Sequence, residues 1–130
     1  MVLDTNIFIA AYFNRKSASA RIIDLCLDNK HELIFSPRLR KEVELILNNV
    51  KAEGEFQERI RNLFMNASHV KPTQKVFMVK EDPEDNKFLE CSLEGKADYL
   101  ITSDMHLLEI ERFAQTKICR PTQFLKLQYT

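Results

Sequence analysis

Short apolar segments alternate along this chain with longer segments of helical periodicity, and this alternation constrains the fold more than any other feature. The apolar segments have the length of buried strands and occupy residues 1–4, 32–35, 76–79, 99–101 and 117–119. Apolar residues at helical spacing predict helices at residues 7–13, 17–28, 36–50, 54–67, 83–94, 105–113 and 122–127. Strands separated by helices pair in parallel, with helices covering both faces of the sheet. The sequence therefore predicts an α/β fold, a three-layer α/β/α arrangement with a central, mostly parallel sheet of about 4–5 strands.

Serine, proline and glycine mark the ends of several predicted helices. Ser17 or Ser19 can cap the helix at residues 17–28, and Ser36 followed by Pro37 begins the next helix. Gly95 follows the helix at residues 83–94, and we predict that it adopts the left-handed conformation that closes this helix.

Length and composition are those of one globular domain. The 130 residues contain no repeat and no linker, so we predict a single domain over residues 1–130. A hydrophobic content of 45% with 29% charged residues is typical of a soluble protein. No apolar run approaches the roughly 20 residues that cross a bilayer, and Asp4 lies where a signal peptide needs apolar residues. We therefore expect a cytoplasmic protein without membrane contact.

The cysteines and histidines lack the spacing of a zinc site. The cysteines are odd in number, which also argues against a disulfide framework, and each has apolar neighbours typical of a small buried side chain. The histidines are equally scattered, and no short motif links them. The residues concerned are Cys26, Cys91, Cys119, His31, His69 and His106.

The net charge counts mildly against nucleic-acid binding. Nineteen basic and nineteen acidic residues cancel, so the whole chain has no electrostatic attraction for a polyanion. A cluster of acids around bound cations would change the sign of the charge locally.

Asp4 and Asp104 each follow a predicted strand directly. In open α/β sheets, ligands bind beyond the carboxyl ends of the strands, so both acids are candidates for one site. An aspartate in this position is also a common N-cap of the following helix. Both interpretations stay open for each residue taken alone.

Asp85 is the third candidate. In the sequence DPED at residues 82–85, it can simply stabilise the start of a helix. At about 100° per residue, however, it shares a helix face with Phe88, Leu89 and Ser92. A carboxylate on an inward face is costly without a positive partner, and a metal ion would be such a partner.

Glu42 is the fourth candidate, on a helix that also carries Glu44. Relative to the centre of the apolar stripe, Glu42 lies roughly 80° away and Glu44 about 120° away on the other side. Geometry therefore favours Glu42 as the glutamate that reaches the sheet edge, while a solvated glutamate stays the alternative for both. The apolar stripe consists of Leu39, Val43, Ile46, Leu47 and Val50.

Four gathered carboxylates predict a hard divalent cation. Magnesium and manganese prefer oxygen ligands, and such ions activate water and neutralise charge on phosphate. Without a cation the same acids would repel phosphate and one another. The cluster thus favours metal-dependent phosphodiester hydrolysis over carboxylate acid–base catalysis.

Five stretches of the chain, in order, resemble proteins of the PIN-domain family. They are VLDTN at residues 2–6, Ser36 with Glu42 six residues on, DPEDNKFL at 82–89, ADYLITSD at 97–104 and PTQFL at 121–125. Each motif alone is weak, whereas the ordered set covers essentially the whole chain. The resemblance is closest to the branch of toxin components of bacterial and archaeal toxin–antitoxin systems, relatives of VapC-type toxins.

This resemblance implies a magnesium- or manganese-dependent endoribonuclease that cuts RNA, on a compact α/β/α fold. Such proteins are often dimeric and often silenced by a small antitoxin protein. The acids of the family fall on Asp4, Glu42, Asp85 and Asp104. Asn6 and Thr102 fall on positions that support the site, for example by orienting a carboxylate, although Asn6 also fits a simple turn.

Other functions remain open at this level. A catalytically silent PIN-fold module that binds RNA or protein is the main alternative, because a fold does not confer activity. A haloacid-dehalogenase-type phosphotransferase needs a second aspartate two residues after the first, where this chain has Asn6. A receiver-like domain needs a lysine after a late strand, and none follows a strand in that way.

Overall fold

The computed structural model describes residues 1–129, and its helices and strands alternate along most of the chain. The order is β1 (Val2–Leu3), α1 (Thr5–Phe13), α2 (Ala18–Leu27), β2 (Ile34–Phe35), α3 (Pro37–Asn49), α4 (Gly54–Met65), β3 (Ser68–His69), a 3-10 turn (Pro83–Asp85), α5 (Asn86–Gly95), β4 (Tyr99–Ile101), α6 (Met105–Leu108), β5 (Arg112–Phe113), β6 (Thr116–Cys119) and α7 (Pro121–Tyr129). None of the described helices is long and apolar enough to cross a membrane.

The central sheet has four strands in the order β1-β4-β6-β5. β1 pairs with β4 and β4 with β6 in parallel, and β5 is antiparallel to β6. β2 and β3 form a second, parallel pair. The Ile34 N–H donates to the Met1 carbonyl at 2.8 Å, which joins this pair to the edge of the central sheet.

Helices cover both faces of the sheet. Side chains along a strand point alternately to its two faces. Leu3 and Ile101 therefore face one core, formed with α1, α2, α4, α7 and the second half of α3. Val2 and Leu100 face another core, formed with α5, α6 and Leu39 at the start of α3. The predicted three-layer α/β/α fold with a mostly parallel sheet is thus confirmed.

Most predicted helices begin and end close to their expected positions because their caps are conventional. Ser17, rather than Ser19, caps α2, and its Oγ accepts the Ala20 N–H at 3.1 Å. Ser36 caps α3 in the same way and accepts the Leu39 N–H at 3.3 Å. The apolar side of α4, from Phe56 to Phe64, is buried in the first core.

The strand predicted at residues 76–79 is wrong, and β3 takes the place beside β2 instead. Val76 and Val79 are buried while Phe77 and Met78 are exposed, so the segment does not alternate as a strand does. Its backbone N–H groups bond to side chains of α5: Val76 to the Glu90 carboxylate and Val79 to an amide oxygen. Carboxylate and amide oxygens of α5 therefore accept the backbone bonds that a neighbouring strand would accept in a sheet.

The helix predicted at residues 105–113 is also wrong in its second half. α6 ends at Leu108, and Arg112–Phe113 forms β5. Glu111 and Ala114 have φ values of 65° and 52°, so the chain turns through the left-handed region on both sides of β5. These turns direct the segment back along β6.

Gly95 is needed for space and not for a left-handed turn. It is the last residue of α5, and Lys96 after it takes the left-handed conformation with a φ of 51°. A Cβ atom at Gly95 would lie 2.5 Å from Cγ2 of Ile34 in β2. The glycine therefore allows the end of α5 to approach β2 closely.

We predict opposite effects of alanine at the two glycines of the chain. Gly95→Ala is expected to lower the free energy of unfolding by about 1–3 kcal/mol, because Ile34 is branched at Cβ and buried. Gly54→Ala has open space around it and is expected to raise that free energy by about 0.4–1 kcal/mol. Urea unfolding of both variants checks the signs.

The same experiment has an internal control in Ile34→Ala, which removes Cγ2. In that background, Gly95→Ala is expected to leave the free energy of unfolding unchanged. A decrease that persists there would contradict the close approach of α5 to β2.

Candidate metal centre

Asp4 lies at the carboxyl end of β1 and has both carboxylate oxygens bonded. Its side chain is 4% exposed. Oδ1 accepts the Asn6 N–H at 3.2 Å and so caps α1, and Oδ2 accepts the Thr102 hydroxyl at 2.6 Å. Asp4 therefore caps α1 with one carboxylate oxygen and bonds to Thr102 with the other.

Thr102 connects Asp4 to Asp104. The threonine is completely buried, and while its hydroxyl donates to Asp4, its oxygen accepts the Asp104 N–H at 3.0 Å. Asp104 in turn caps α6, since its Oδ1 accepts the His106 N–H at 2.7 Å. One buried hydroxyl thus holds two acidic residues from neighbouring strands in a set relation.

Asn6 takes part through its backbone. Its N–H is the group that bonds to Asp4, and its side chain is exposed.

Asp85 lies on the inner side of the 3-10 turn before α5 and is 8% exposed. Its Oδ2 atom is buried and has no hydrogen-bond partner among residues 1–129. Burial, together with the nearby carboxylates of Asp104 and Asp82, raises the pKa of Asp85 to about 7. The carboxylate is thus one that a cation would stabilise strongly.

Asn86 positions Asp85. Its amide oxygen accepts the Val79 N–H at 2.9 Å, and its amide nitrogen donates to the carbonyls of Val79 and Pro83 at 2.9 and 3.1 Å. These three bonds close the loop that precedes α5 and orient the residue before Asn86. Sequence reasoning missed this role, because an asparagine inside a polar motif gives no sign of where its amide points.

Asp85, Asp104 and His106 come together. Each offers one ligand atom, and these atoms all lie within 4.8 Å of one another. The Nδ1 atom of His106 is 3.8 Å from Oδ1 of Asp104. His106 was not among the sequence candidates, and the one signal that could have found it is its place two residues after Asp104 in the first turn of α6.

Glu42 lies outside that group and is bonded to a lysine. Its Oε1 accepts from Lys87 Nζ at 2.7 Å, and both side chains are largely buried. Burial raises the pKa of Asp4, and Lys87 lies near enough for its charge to oppose that rise. Lys87 therefore connects Glu42 to the acidic centre.

The electrostatics of Asp4 follow from its neighbours. Burial raises the pKa of Asp4, and the charge of Asp104 adds to the rise, whereas the bonds from Thr102 and Asn6 oppose it. The donor set of carboxylate oxygens, with one unpaired buried oxygen on Asp85, fits a hard divalent cation. Asp85, Asp104 and His106 bring one ligand atom each within 4.8 Å of one another, whereas neither Asp4 nor Glu42 belongs to that group.

A groove of about 1000 Å³ opens between α6, β5, β6 and α7. Met105, which follows Asp104 in the chain, lines it, whereas Asp4, Asp85, Asp104 and His106 do not. Two acids and four bases lie along it, so the groove is basic although the chain as a whole is neutral. The charged residues are Glu109, Glu111, Arg112, Lys117, Arg120 and Lys126.

Comparisons with known proteins agree with this architecture. A family model described as PIN domain matches residues 1–106. The uncharacterized protein MJ1680 of Methanocaldococcus jannaschii is 30% identical over 115 residues, which cover 85% of this chain and 74% of that protein. No solved structure matches the chain significantly.

We predict that Asp85→Asn stabilises the metal-free protein at high pH. The folded-state pKa of Asp85, about 7, lies above the ordinary 3.8, so the folded state binds this proton more tightly than the unfolded state. Stability is therefore lost as pH rises from about 4 to about 7. Asparagine cannot ionise, so at pH 8 the free energy of unfolding of the variant is expected to exceed that of the wild type by about 2–4 kcal/mol.

Urea unfolding in a chelator at pH 5 and pH 8 measures this difference, which should be smaller at pH 5. The matched control is Glu84→Gln, which changes the adjacent acid, an exposed partner of Arg38. A wild-type protein as stable as Asp85→Asn at pH 8 would contradict the electrostatic account.

Proposed function

The chain belongs to the PIN-domain family, and on that basis we propose that it is a divalent-metal-dependent endoribonuclease that hydrolyses RNA phosphodiester bonds. PIN domains are generally nucleases. The observation that carries the proposal is the buried, unpaired Oδ2 of Asp85 beside the carboxylate of Asp104. Among residues 1–129, the buried side-chain polar atoms without a partner are this oxygen and the hydroxyl of Thr5, which follows Asp4.

In this proposal Asp4, Asp85 and Asp104 hold Mg²⁺ or Mn²⁺, with Glu42 as the fourth acid of the site. Such an ion supplies an activated water and neutralises charge on the phosphate. Thr102 keeps Asp4 and Asp104 in register, and Asn6 supports Asp4 through its backbone. Lys87 holds Glu42 by an ion pair and places a positive charge near Asp4.

The basic groove supports a polyanionic substrate. Phosphate contacts from lysine and arginine supply most of the non-specific affinity for nucleic acids. The groove carries four bases and two acids, so its net charge is positive although the charges of the whole chain cancel. In this proposal RNA bound along the groove reaches the acids near Met105, the groove residue that follows Asp104 in the chain.

We further propose that this nuclease is the toxin of a toxin–antitoxin pair in the cytoplasm, silenced by a small antitoxin protein and able to form a homodimer. This part rests on the resemblance of the ordered motifs alone. We expect a gene for a small antitoxin beside the gene for this chain. Its absence would favour a housekeeping nuclease.

The alternative is a catalytically silent PIN-fold module that binds RNA through the same groove. This alternative needs no cation at the acids and predicts binding without cleavage. It is therefore separated from the nuclease by activity assays on variants that keep the groove intact.

We predict that Asp4→Asn lowers RNA cleavage at least about 100-fold, because the cation loses one charged ligand and its transition-state stabilisation. Wild type and variant are incubated with single-stranded RNA in Mg²⁺ or Mn²⁺, with a chelator as a second control. Asp104→Asn should behave alike. Glu44→Gln, an exposed change on the helix that carries Glu42, should leave cleavage unchanged. RNA binding without cleavage by the wild type would support the silent module.

We predict that Arg112→Ala with Arg120→Ala weakens RNA binding about tenfold at low salt and lowers the salt slope of the affinity by about 1.4. Fluorescence anisotropy in the Asp4→Asn background measures binding without cleavage. The matched control removes two arginines from α4, Arg59 and Arg61, which form exposed ion pairs. Equal losses in the two double variants would mean that the groove is not the binding surface.

A further inference from the structure

We propose that His106 binds the divalent cation directly through its imidazole, so that the site prefers a transition-metal ion such as Mn²⁺ to Mg²⁺. The inference rests on the proposed function, because it concerns the same cation. It adds a nitrogen ligand to a set that is otherwise all oxygen, and it assigns the metal preference of the centre.

The distances fit a shared ion. The ligand atoms of Asp85, Asp104 and His106 lie within 4.8 Å of one another, and Nδ1 of His106 is 3.8 Å from Oδ1 of Asp104. Ligands at about 2.1 Å around one octahedral ion are separated by about 3–4.2 Å. Small rotations of the side chains are enough to bring the three groups to one cation.

The backbone holds His106 in this place. Its N–H is bonded to Asp104 Oδ1 at 2.7 Å, so the first turn of α6 keeps the histidine beside that carboxylate. The next residue, Leu107, is fully buried in the second core and anchors the short helix. The imidazole itself is 43% exposed, which leaves it free to turn toward an ion.

The remaining acids show why an added ligand matters. Asp85 contributes a buried oxygen without a partner, so the centre has a carboxylate that needs positive charge. Glu42 is already held by Lys87 at 2.7 Å and lies outside the group that contains His106. His106, and not Glu42, is therefore the third residue that the structure places beside Asp85 and Asp104.

The chemistry of imidazole gives the selectivity. Mg²⁺ is a hard ion that keeps oxygen ligands and water, whereas first-row transition ions bind nitrogen more strongly. An imidazole added to the carboxylates of the site thus favours Mn²⁺ over Mg²⁺. A histidine that only pairs with Asp104, or that contacts phosphate, would leave the preference between the two ions unchanged.

Electron spin-echo measurements on the Mn²⁺-loaded protein test the proposal without any activity assay. The wild type is expected to show the modulation of an imidazole ¹⁴N nucleus bound to Mn²⁺, and His106→Gln is expected to lose it. His69→Gln, at an exposed histidine on β3, is the matched control and should keep it. Circular dichroism verifies that each variant is folded.

Calorimetric titration gives the second readout. His106→Gln is expected to weaken Mn²⁺ binding about tenfold or more and to change Mg²⁺ binding less than about twofold. Mn²⁺ bound without ¹⁴N modulation, or equal losses for both ions, would overturn the role of His106 while the proposed nuclease stands. RNA cleavage in Mg²⁺ by a protein that binds no Mn²⁺ would do the same. A protein that binds neither ion and cuts no RNA would overturn both proposals.

Discussion

The hydrogen bonds of Thr102 are the constraint on which the acidic centre depends. A buried hydroxyl that donates to Asp4 and accepts from the backbone of Asp104 ties the carboxyl ends of β1 and β4 together. The parallel pairing of these strands brings the two residues to one edge of the sheet, and the threonine sets their separation. Both aspartates also cap helices through separate bonds, from Asn6 and from His106, so the residues that Thr102 orients define where α1 and α6 begin.

The centre is stable in spite of its charge, because other parts of the fold offset it. Asp4 and Asp85 are buried acids with raised pKa values, and each faces further carboxylates. The counter-charge within the chain is Lys87, which is itself engaged by Glu42. The burial of apolar side chains in the two cores on the faces of the sheet offsets the destabilisation that these carboxylates cause. Such a cost is expected where residues are arranged for function and not for folding.

The parts of the fold that were predictable are those in which local pattern and tertiary packing agree. Strand β4 and helix α4 have the expected apolar pattern, and α3 adds a capping serine to its apolar periodicity. The strand at Ser68–His69 was missed because its side chains are polar and its pairing with β2 comes from tertiary contacts. The strand prediction at residues 76–79 was wrong for the opposite reason. These residues are strongly apolar, but the backbone N–H groups of Val76 and Val79 bond to side chains of α5 and not to another strand. At the site, spacing after a strand pointed to Asp4 and Asp104, whereas the nearness of His106 to Asp85 depends on how α6 meets the turn before α5.

The amide of Asn86 has a consequence for comparing related sequences. Asparagine and aspartate have almost the same shape, and an exchange between them usually counts as conservative. Here the amide nitrogen donates to two carbonyl oxygens, of Val79 and Pro83, and an ionised carboxylate has no proton to give them. An aspartate would turn both contacts into repulsions and would add a negative charge next to Asp85. At this position the two residues therefore differ in the bonds they can make and in charge, and a relative with aspartate here would need a different loop before α5.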